Sequence, residues 1–451
     1  MTQQRESISR IASAALSRRS LLRGTAAVGL SGAAAAVLAA CSNDNNPLGD
    51  AETVEATWSL WGDTALLKRH EEFNDKLNAD QKAVRARFIG LPTDGYAKKI
   101  TAEITAGNAP DVFLAGDTLL GQLVASKQLA ELGPLLDGPL SKSKTDAFNR
   151  SLFAPGTDAE GKIFGVPAAC NPMLMWFNQG VLESVGVTES PADRYAAGTW
   201  SLEYFQTLVD KVHAGKKRAF VFSNWNGELY PWITAAGGKI FDGGRFVAHE
   251  DQKTVGAIKW LRDQLAAEKA WYASALPQGQ GADAMFAGDQ LAFTVTGRWV
   301  VPVYRQAKTL KTDVVGLPSA DGKPAPTIVL ASWMVVNKSA KNVEAAFRIL
   351  TEYVSREGQE FILQGEGGAA IPSINGADQA VLGANYPAHA QTFIDLRDIG
   401  YTSTTEEARV PGLSSLIFKP LDKYFTEGGD LPGIMAEMGQ KVNDAVKRGS
   451  V

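Results

Sequence analysis

Residues 161–178 read GKIFGVPAACNPMLMWFN, and this stretch decides the fold. A turn at Gly161-Lys162 leads into a strand that climbs through Phe164 and Val166 to Pro167. The small residues Ala168-Ala169-Cys170-Asn171-Pro172 follow, and then a second apolar run from Met173 to Phe177. Strand alternation is expected to stop at Asn171-Pro172, because proline donates no ladder hydrogen bond and restricts its predecessor. A chain that is extended, loses its sheet pairing and becomes extended again is leaving one sheet for another. The interval between two sheets is where a cleft forms. Two strands of one sheet joined by a loop is the alternative reading.

The size of the chain suits two sheets. Its 451 residues exceed one ordinary core and fit two lobes. Apolar content of 45% with 21% charged residues is ordinary for a globular protein. Lys+Arg 45 against Asp+Glu 49 gives a net charge of −4. Arg5, Arg10, Arg18, Arg19 and Arg23 all precede residue 41, with Glu6 the only acid there, so the remaining chain is more acidic still. That balance, with no basic block, argues against nucleic acid and against a polybasic grip on anionic lipid.

Ser17-Arg18-Arg19-Ser20-Leu21-Leu22-Arg23 precedes an uncharged Ala/Gly-rich run over residues 24–40. The run is too short and too weakly apolar for a membrane span. A charged lead, a modest apolar stretch and small residues at its end form an export-signal pattern, and the paired arginines point to the twin-arginine route. Leu38-Ala39-Ala40-Cys41-Ser42 resembles a bacterial lipobox. Residues 1–40 are therefore expected to be a twin-arginine lipoprotein signal, Cys41 the lipidated residue and 41–53 a polar tether. Cys170, then the sole remaining cysteine, has no basic neighbour to lower its pKa and reads as buried and inert.

In the body, Val54, Ala56, Trp58 and Leu60 alternate onto one face, which makes Trp58 core and leaves Trp61 at the strand end. The next helix carries His70 on its apolar stripe, a packed histidine rather than a ligand. A strand at 84–89, a helix at 98–106 stopped by Gly107-Asn108, and a short strand at 111–114 complete a β-α-β-α-β order. That order implies a parallel sheet covered by helices. Ligands bind such sheets outside the carboxyl ends of the strands, where Trp61 and Asp117 fall. Farther on, strands at 219–222, 291–296, 314–317 and 327–336 are expected, with a long helix over 342–363 and mostly helical structure after 372. Gly365-Glu366-Gly367-Gly368 follows a helix rather than a strand, so a nucleotide-binding reading is weak.

Aromatic residues recur where strands meet the expected cleft: Trp61, Trp225, Trp299 and Trp333, with Tyr230 and Trp232 nearby. Trp58, Trp200 and Trp260 read as core. A flat ring stacks on the apolar C–H face of a sugar, while amides and carboxylates hold its hydroxyls. Asp117, Asn171 and Asn224 are the polar candidates. The chain has no G-x-S-x-G, H-E-x-x-H, P-loop or EF-hand motif, and no cofactor is expected. Asp283 and Asp289 could be imagined as paired glycosidase carboxylates.

The chain resembles the extracellular solute-binding proteins of ATP-binding-cassette importers, in the carbohydrate-binding group that includes maltose-binding protein. The resemblance runs from about Val54 to Val446. It rests on Thr105-Ala106-Gly107-Asn108-Ala109-Pro110-Asp111-Val112, on residues 161–167 followed by Trp176-Phe177-Asn178, and on Ala235-Ala236-Gly237-Gly238. Phe286-Ala287-Gly288-Asp289 with Gly297-Arg298-Trp299, and Ser355-Arg356-Glu357-Gly358, complete it. It implies an α/β, two-lobe periplasmic-binding-protein fold with a ligand cleft between the lobes. Lobe one would comprise 54–169 and 336–373, and lobe two 170–335 and 374–451. It also implies that Trp299 stacks on sugar and that Asp117, Trp61 and residues 224–232 line the cleft; Ser332-Trp333 departs from the family, standing where small glycines are common, so that Trp333 is expected to narrow the site. Function would be capture of a di- or oligosaccharide and delivery to a permease with its ATPase, with the lipid on Cys41 holding the protein to the outer face of the cytoplasmic membrane. A lipid-anchored carbohydrate-processing enzyme and a sensory relay protein are the alternatives.

Overall fold

The computed structural model describes residues 53–276, 281–364, 368–402 and 405–451. The expected signal, Cys41 and nearly all of the tether lie outside the described residues, as does most of the glycine-rich run at 365–368. Strands β1 (Val54–Trp61), β2 (Val84–Leu91) and β3 (Val112–Gly116) come first, and β1 pairs in parallel with both others. The helix Thr64–Asp80 between β1 and β2 starts on Asp63, whose carboxylate accepts from Leu66 N at 2.8 Å. It buries His70, Phe73 and Leu77 along one stripe. The helix Tyr96–Ala106 ends on Gly107 at φ 73, a left-handed stop that glycine adopts without penalty.

The chain then enters β4 (Gly165–Pro172), β5 (Leu174–Asn178), β6 (Arg218–Phe222), β7 (Phe241–Asp242), β8 (Arg245–Phe246), β9 (Ala270–Tyr272), β10 (Leu291–Thr296), β11 (Thr312–Val315) and β12 (Val329–Val336). Two five-stranded sheets result, in the orders β2-β1-β3-β12-β4 and β11-β5-β10-β6-β9, with β7-β8 a separate hairpin. The change of sheet expected within 161–178 is therefore present: β4 belongs to the first sheet and β5 to the second.

The place of the change differs from expectation. Pairing continues through Asn171 and Pro172, opposite Leu330 and Val329 of β12, and breaks at Met173. β4 is an edge strand, so Pro172 is not asked for the hydrogen bond it lacks. At the crossover Met173 N donates to Ile328 O at 3.0 Å and Thr327 Oγ1 to Met173 O at 2.7 Å. Cys170 and Ile371 exchange backbone hydrogen bonds of 3.0 and 2.9 Å. Three segments thus run side by side between the sheets. β12 lies wholly in the first sheet, including residues 329–335 that the sequence grouped with the second lobe, because Trp333, Met334 and Val335 pair with Ala115, Leu114 and Phe113.

The strands β3, β5 and β10 are buried on both faces, which is why they read as near-continuous apolar runs. In the first sheet Val112, Leu114, Met334 and Val336 pack to one side, and Phe113, Ala115, Trp333 and Val335 to the other. In the second, Met175, Phe177 and Phe220 oppose Leu174, Trp176 and Val221. The helix expected over 342–363 is two helices, Val343–Val354 and Arg356–Leu363. Ser355 is extended at the junction, and its hydroxyl accepts from Gly358 N at 3.0 Å to start the second.

Candidate functional site

A cavity of about 720 Å³ lies at the carboxyl ends of the first-sheet strands, where ligands of open α/β sheets bind. Trp61 and Asp63 follow β1, Thr93 follows β2, and Ala169, Asn171 and Ser332 come from the crossing strands. Trp225, after β6, and Trp299, after β10, close it from the second sheet. His70 and Tyr353 are also among its lining residues. Among the described residues the lining holds no lysine or arginine, and Asp63 is its one carboxylate. Such a wall suits an uncharged ligand with apolar faces.

Four of the nine residues expected to bind ligand are brought together here: Trp61, Asn171, Trp225 and Trp299. Trp299 is 37% exposed, the largest exposed ring of the described residues. Trp61 stands edge-on to Tyr96, with centroids 5.0 Å apart. Asn171 lines the wall, yet both ends of its amide are committed. Its Oδ1 accepts from Arg298 N at 2.8 Å and its Nδ2 donates to Ala369 O at 3.3 Å.

The other five are elsewhere. Trp333 is fully buried and its Nε1 donates to Leu152 O at 2.8 Å. Trp333 packs in the core with Phe113, Ala115 and Val335, whereas its neighbour Ser332 lines the cavity. Trp232 is buried against Phe220 and Trp260, 5.5 and 5.3 Å away between centroids. Tyr230, also buried, donates its hydroxyl to Glu407 Oε2 at 3.0 Å. Both belong to the interior of the helix Asn226–Ala235, whereas Trp225 precedes its first turn. Asn224 is turned to the C-terminal helices, donating to Phe418 O at 2.7 Å. Asp117 begins the helix Asp117–Ala125 outside the cavity; burial, together with the Glu407 carboxylate, pushes it up to about 7.

Several residues outside the nine matter to the site. Asp63, Thr93 and Ser332 supply polar atoms on the wall. Asp63 was legible by the rule that found Trp61, since it lies two places past the end of β1. Glu228 holds Trp225 from behind: its carboxylate accepts from Trp225 Nε1 at 3.1 Å and from Ser223 N at 2.7 Å. Burial pushes Glu228 up to about 7 against those hydrogen bonds. Asp283 and Asp289 do not line the cavity; Asp289 accepts from Asn178 Nδ2 at 2.7 Å, and Asp283 lies near the Tyr304 hydroxyl. Cys170 is buried, and burial pushes its thiol up to about 12, so it is not poised as a nucleophile.

Known proteins resemble the chain in sequence and in fold. A maltooligosaccharide ABC transporter solute-binding lipoprotein of Streptococcus pneumoniae is 26% identical over 281 residues, 59% of this chain and 61% of that protein. The chain thus spans about three fifths of that relative's length. The maltodextrin-binding protein MdxE of Bacillus subtilis is 24% identical over 346 residues, 72% of this chain and 74% of that one. Among solved structures, an ABC substrate-binding protein of Listeria monocytogenes in complex with cycloalternan superposes with a TM-score of 0.74 at 17% identity, covering 87% of this chain and 99% of that chain. That likeness establishes the two-lobe periplasmic-binding-protein fold. The profile of the bacterial extracellular solute-binding proteins matches residues 68–391, well over half of the chain, and the chain belongs to that family.

Proposed function

We propose that this protein captures a neutral di- or oligosaccharide in the cavity between its lobes and delivers it to an ATP-binding-cassette permease with its ATPase. The observation that carries the reading is the set of three indoles, Trp61, Trp225 and Trp299, around a cavity whose described lining has no lysine or arginine. Sugar rings stack on such surfaces through their C–H faces, and Asp63, Thr93 and Ser332 stand ready for hydroxyls. The names of the streptococcal and Bacillus relatives support a maltooligosaccharide-like ligand. In this reading lobe one comprises about residues 54–172 and 329–373, and lobe two 173–328 and 374–451. Ligand contacts on both lobes favour a closed form over an open one through motion at the three crossing segments. The twin-arginine signal and the lipid on Cys41 would place the protein at the outer face of the cytoplasmic membrane.

The test is a melting-temperature screen against maltose, maltotriose, longer maltodextrins and unrelated disaccharides, with product analysis of every stabilising sugar. A ligand bound only by the folded state raises the melting temperature. The reading requires at least one sugar that stabilises the protein and is recovered intact. Stabilising sugars converted to products would replace it with the enzyme, and no stabilisation by any sugar would remove the carbohydrate.

A further inference from the structure

The two cavity tryptophans of the second lobe share a local device. Trp225 has a glycine two residues after it and Trp299 a glycine two residues before it. A Cβ placed on Gly227 would overlap the six-membered ring of Trp225, and one on Gly297 the six-membered ring of Trp299. Each indole therefore lies directly on glycine backbone, in space that any other residue would fill. Trp225 (φ −150, ψ 166) and Gly297 (φ −81, ψ −172) are each the extended residue immediately ahead of a helical turn, Asn226–Ala235 and Arg298–Val300. Behind each shelf stands a second restraint. Glu228 accepts the Trp225 indole N–H at 3.1 Å. Asn171 accepts the Arg298 N–H at 2.8 Å and so fixes the peptide ahead of Trp299. The Arg298 side chain is fully buried and donates to the backbone carbonyl of Gly368.

We propose that Gly227 and Gly297, backed by Glu228 and Asn171, are positioning residues that hold Trp225 and Trp299 flat against the backbone, each with one face toward the cavity, before ligand arrives. This rests on the reading that the cavity takes a carbohydrate. An indole free to turn would have to be ordered on binding, and a shelf removes that cost in advance. The two loops follow different strands, so the device arises twice independently in the chain.

The test uses the full chain, with maltotriose as probe. Gly227→Ala and Gly297→Ala are each expected to weaken binding about tenfold, with a melting temperature within about 2 °C of the parent. In the free protein each should change the near-UV dichroism and raise acrylamide quenching of its own tryptophan. The coupling is decisive: in a Trp299→Phe background, Gly297→Ala should lose its spectroscopic signature, and the two losses of affinity should fall short of additive. Glu228→Gln, which keeps an acceptor for the indole, should retain the Trp225 signature that Glu228→Ala loses. If a glycine variant does not fold, Glu228→Ala and Asn171→Ala, which add no bulk, carry the same spectroscopic test. Unchanged spectra, or fully additive losses, would overturn the proposal. If maltotriose does not bind the parent protein, the carbohydrate reading is what suffers, and the spectra of the free variants still decide whether the shelves position the indoles.

Discussion

Trp333→Phe separates two assignments of the same residue. Read from sequence, Trp333 narrows the ligand cleft; in the structure it is sealed in the core on the far side of β12. The substitution removes the indole N–H that donates to Leu152 O at 2.8 Å, leaving a buried carbonyl short of its partner. That costs about 1–2 kcal/mol. The smaller ring also leaves a void of about 40 Å³, which at roughly 24 cal/mol per Å³ adds about 1 kcal/mol. The variant should therefore lose about 2–3 kcal/mol of stability, read as a shifted midpoint in urea unfolding with an unchanged slope. Affinity for whichever sugar the protein binds should stay within about twofold, because the ring touches none of the cavity. A variant with parental stability and an affinity lowered about tenfold or more would put the indole back on the cavity wall. It would also contradict the packing of Trp333 among Phe113, Ala115 and Val335.

Trp299→Ala should behave the other way, because its ring is 37% exposed: affinity by calorimetry falls about tenfold or more while the urea midpoint holds. Arg397→Met removes a buried guanidinium that pairs with Asp378 at 2.7 Å and Asp398 at 2.9 Å and donates to Pro372 O; it should cost about 3–5 kcal/mol in the same unfolding assay. Burial holds the His70 imidazole down at about 4. Its Nδ1 lies 2.7 Å from Leu66 O and its Nε2 2.9 Å from the Tyr353 hydroxyl, so the neutral ring donates from Nδ1 and accepts at Nε2. The unfolded chain takes up a proton below about pH 6.5 while the folded one does not, so stability is lost as pH falls from about 6.5 to about 4, by at most about 3 kcal/mol. A ring that titrates near 6.5 by nuclear magnetic resonance would remove that expectation. Asp117 has the opposite sign: with its carboxyl raised to about 7, the folded state keeps a proton that the unfolded state releases, and stability falls as pH rises from about 4 to about 7. Asp117→Asn should therefore gain on the parent protein at about pH 8 and match it at about pH 4, measured by urea midpoint.

The architecture was legible because it depends on patterns that the backbone enforces. The β-α-β-α-β order, the glycine stop at Gly107 and the apolar strands read directly from residue types. The break at Asn171-Pro172 pointed to the right event but the wrong peptide, since a proline at the end of an edge strand does not interrupt pairing. The site was legible only in part. Trp61, Trp225 and Trp299 each sit just at or past a strand's end, where position alone puts a side chain at the cleft. Trp333 lies inside a strand and Trp232 inside a helix, where facing depends on which side meets the core. Two neighbours such as Ser332 and Trp333 look equally suited in sequence, and only the pairing of β12 between β3 and β4 separates them. Asn171 and Asn224 offer hydrogen-bonding chemistry suited to a ligand, yet they spend it on the backbones of Arg298, Ala369 and Phe418. No spacing rule reveals a partner that lies a hundred or more residues away.

That use of polar side chains bears on how closure would be driven. A ligand shifts an equilibrium between open and closed lobes only by the difference in its contacts with the two forms. Asn171 spends both ends of its amide on the loop before Trp299 and on Ala369, and so sets the geometry of one wall. The contacts that can differ are those a ligand makes with Trp61 and Asp63 on one side and Trp225 and Trp299 on the other. A sugar long enough to touch both sets gains from closure, whereas one that stacks on a single indole binds with nothing to gain. In the proposed reading, ligand length would therefore be coupled to lobe closure by the spacing of the rings across the cavity, which is set by the strand ends on which they stand.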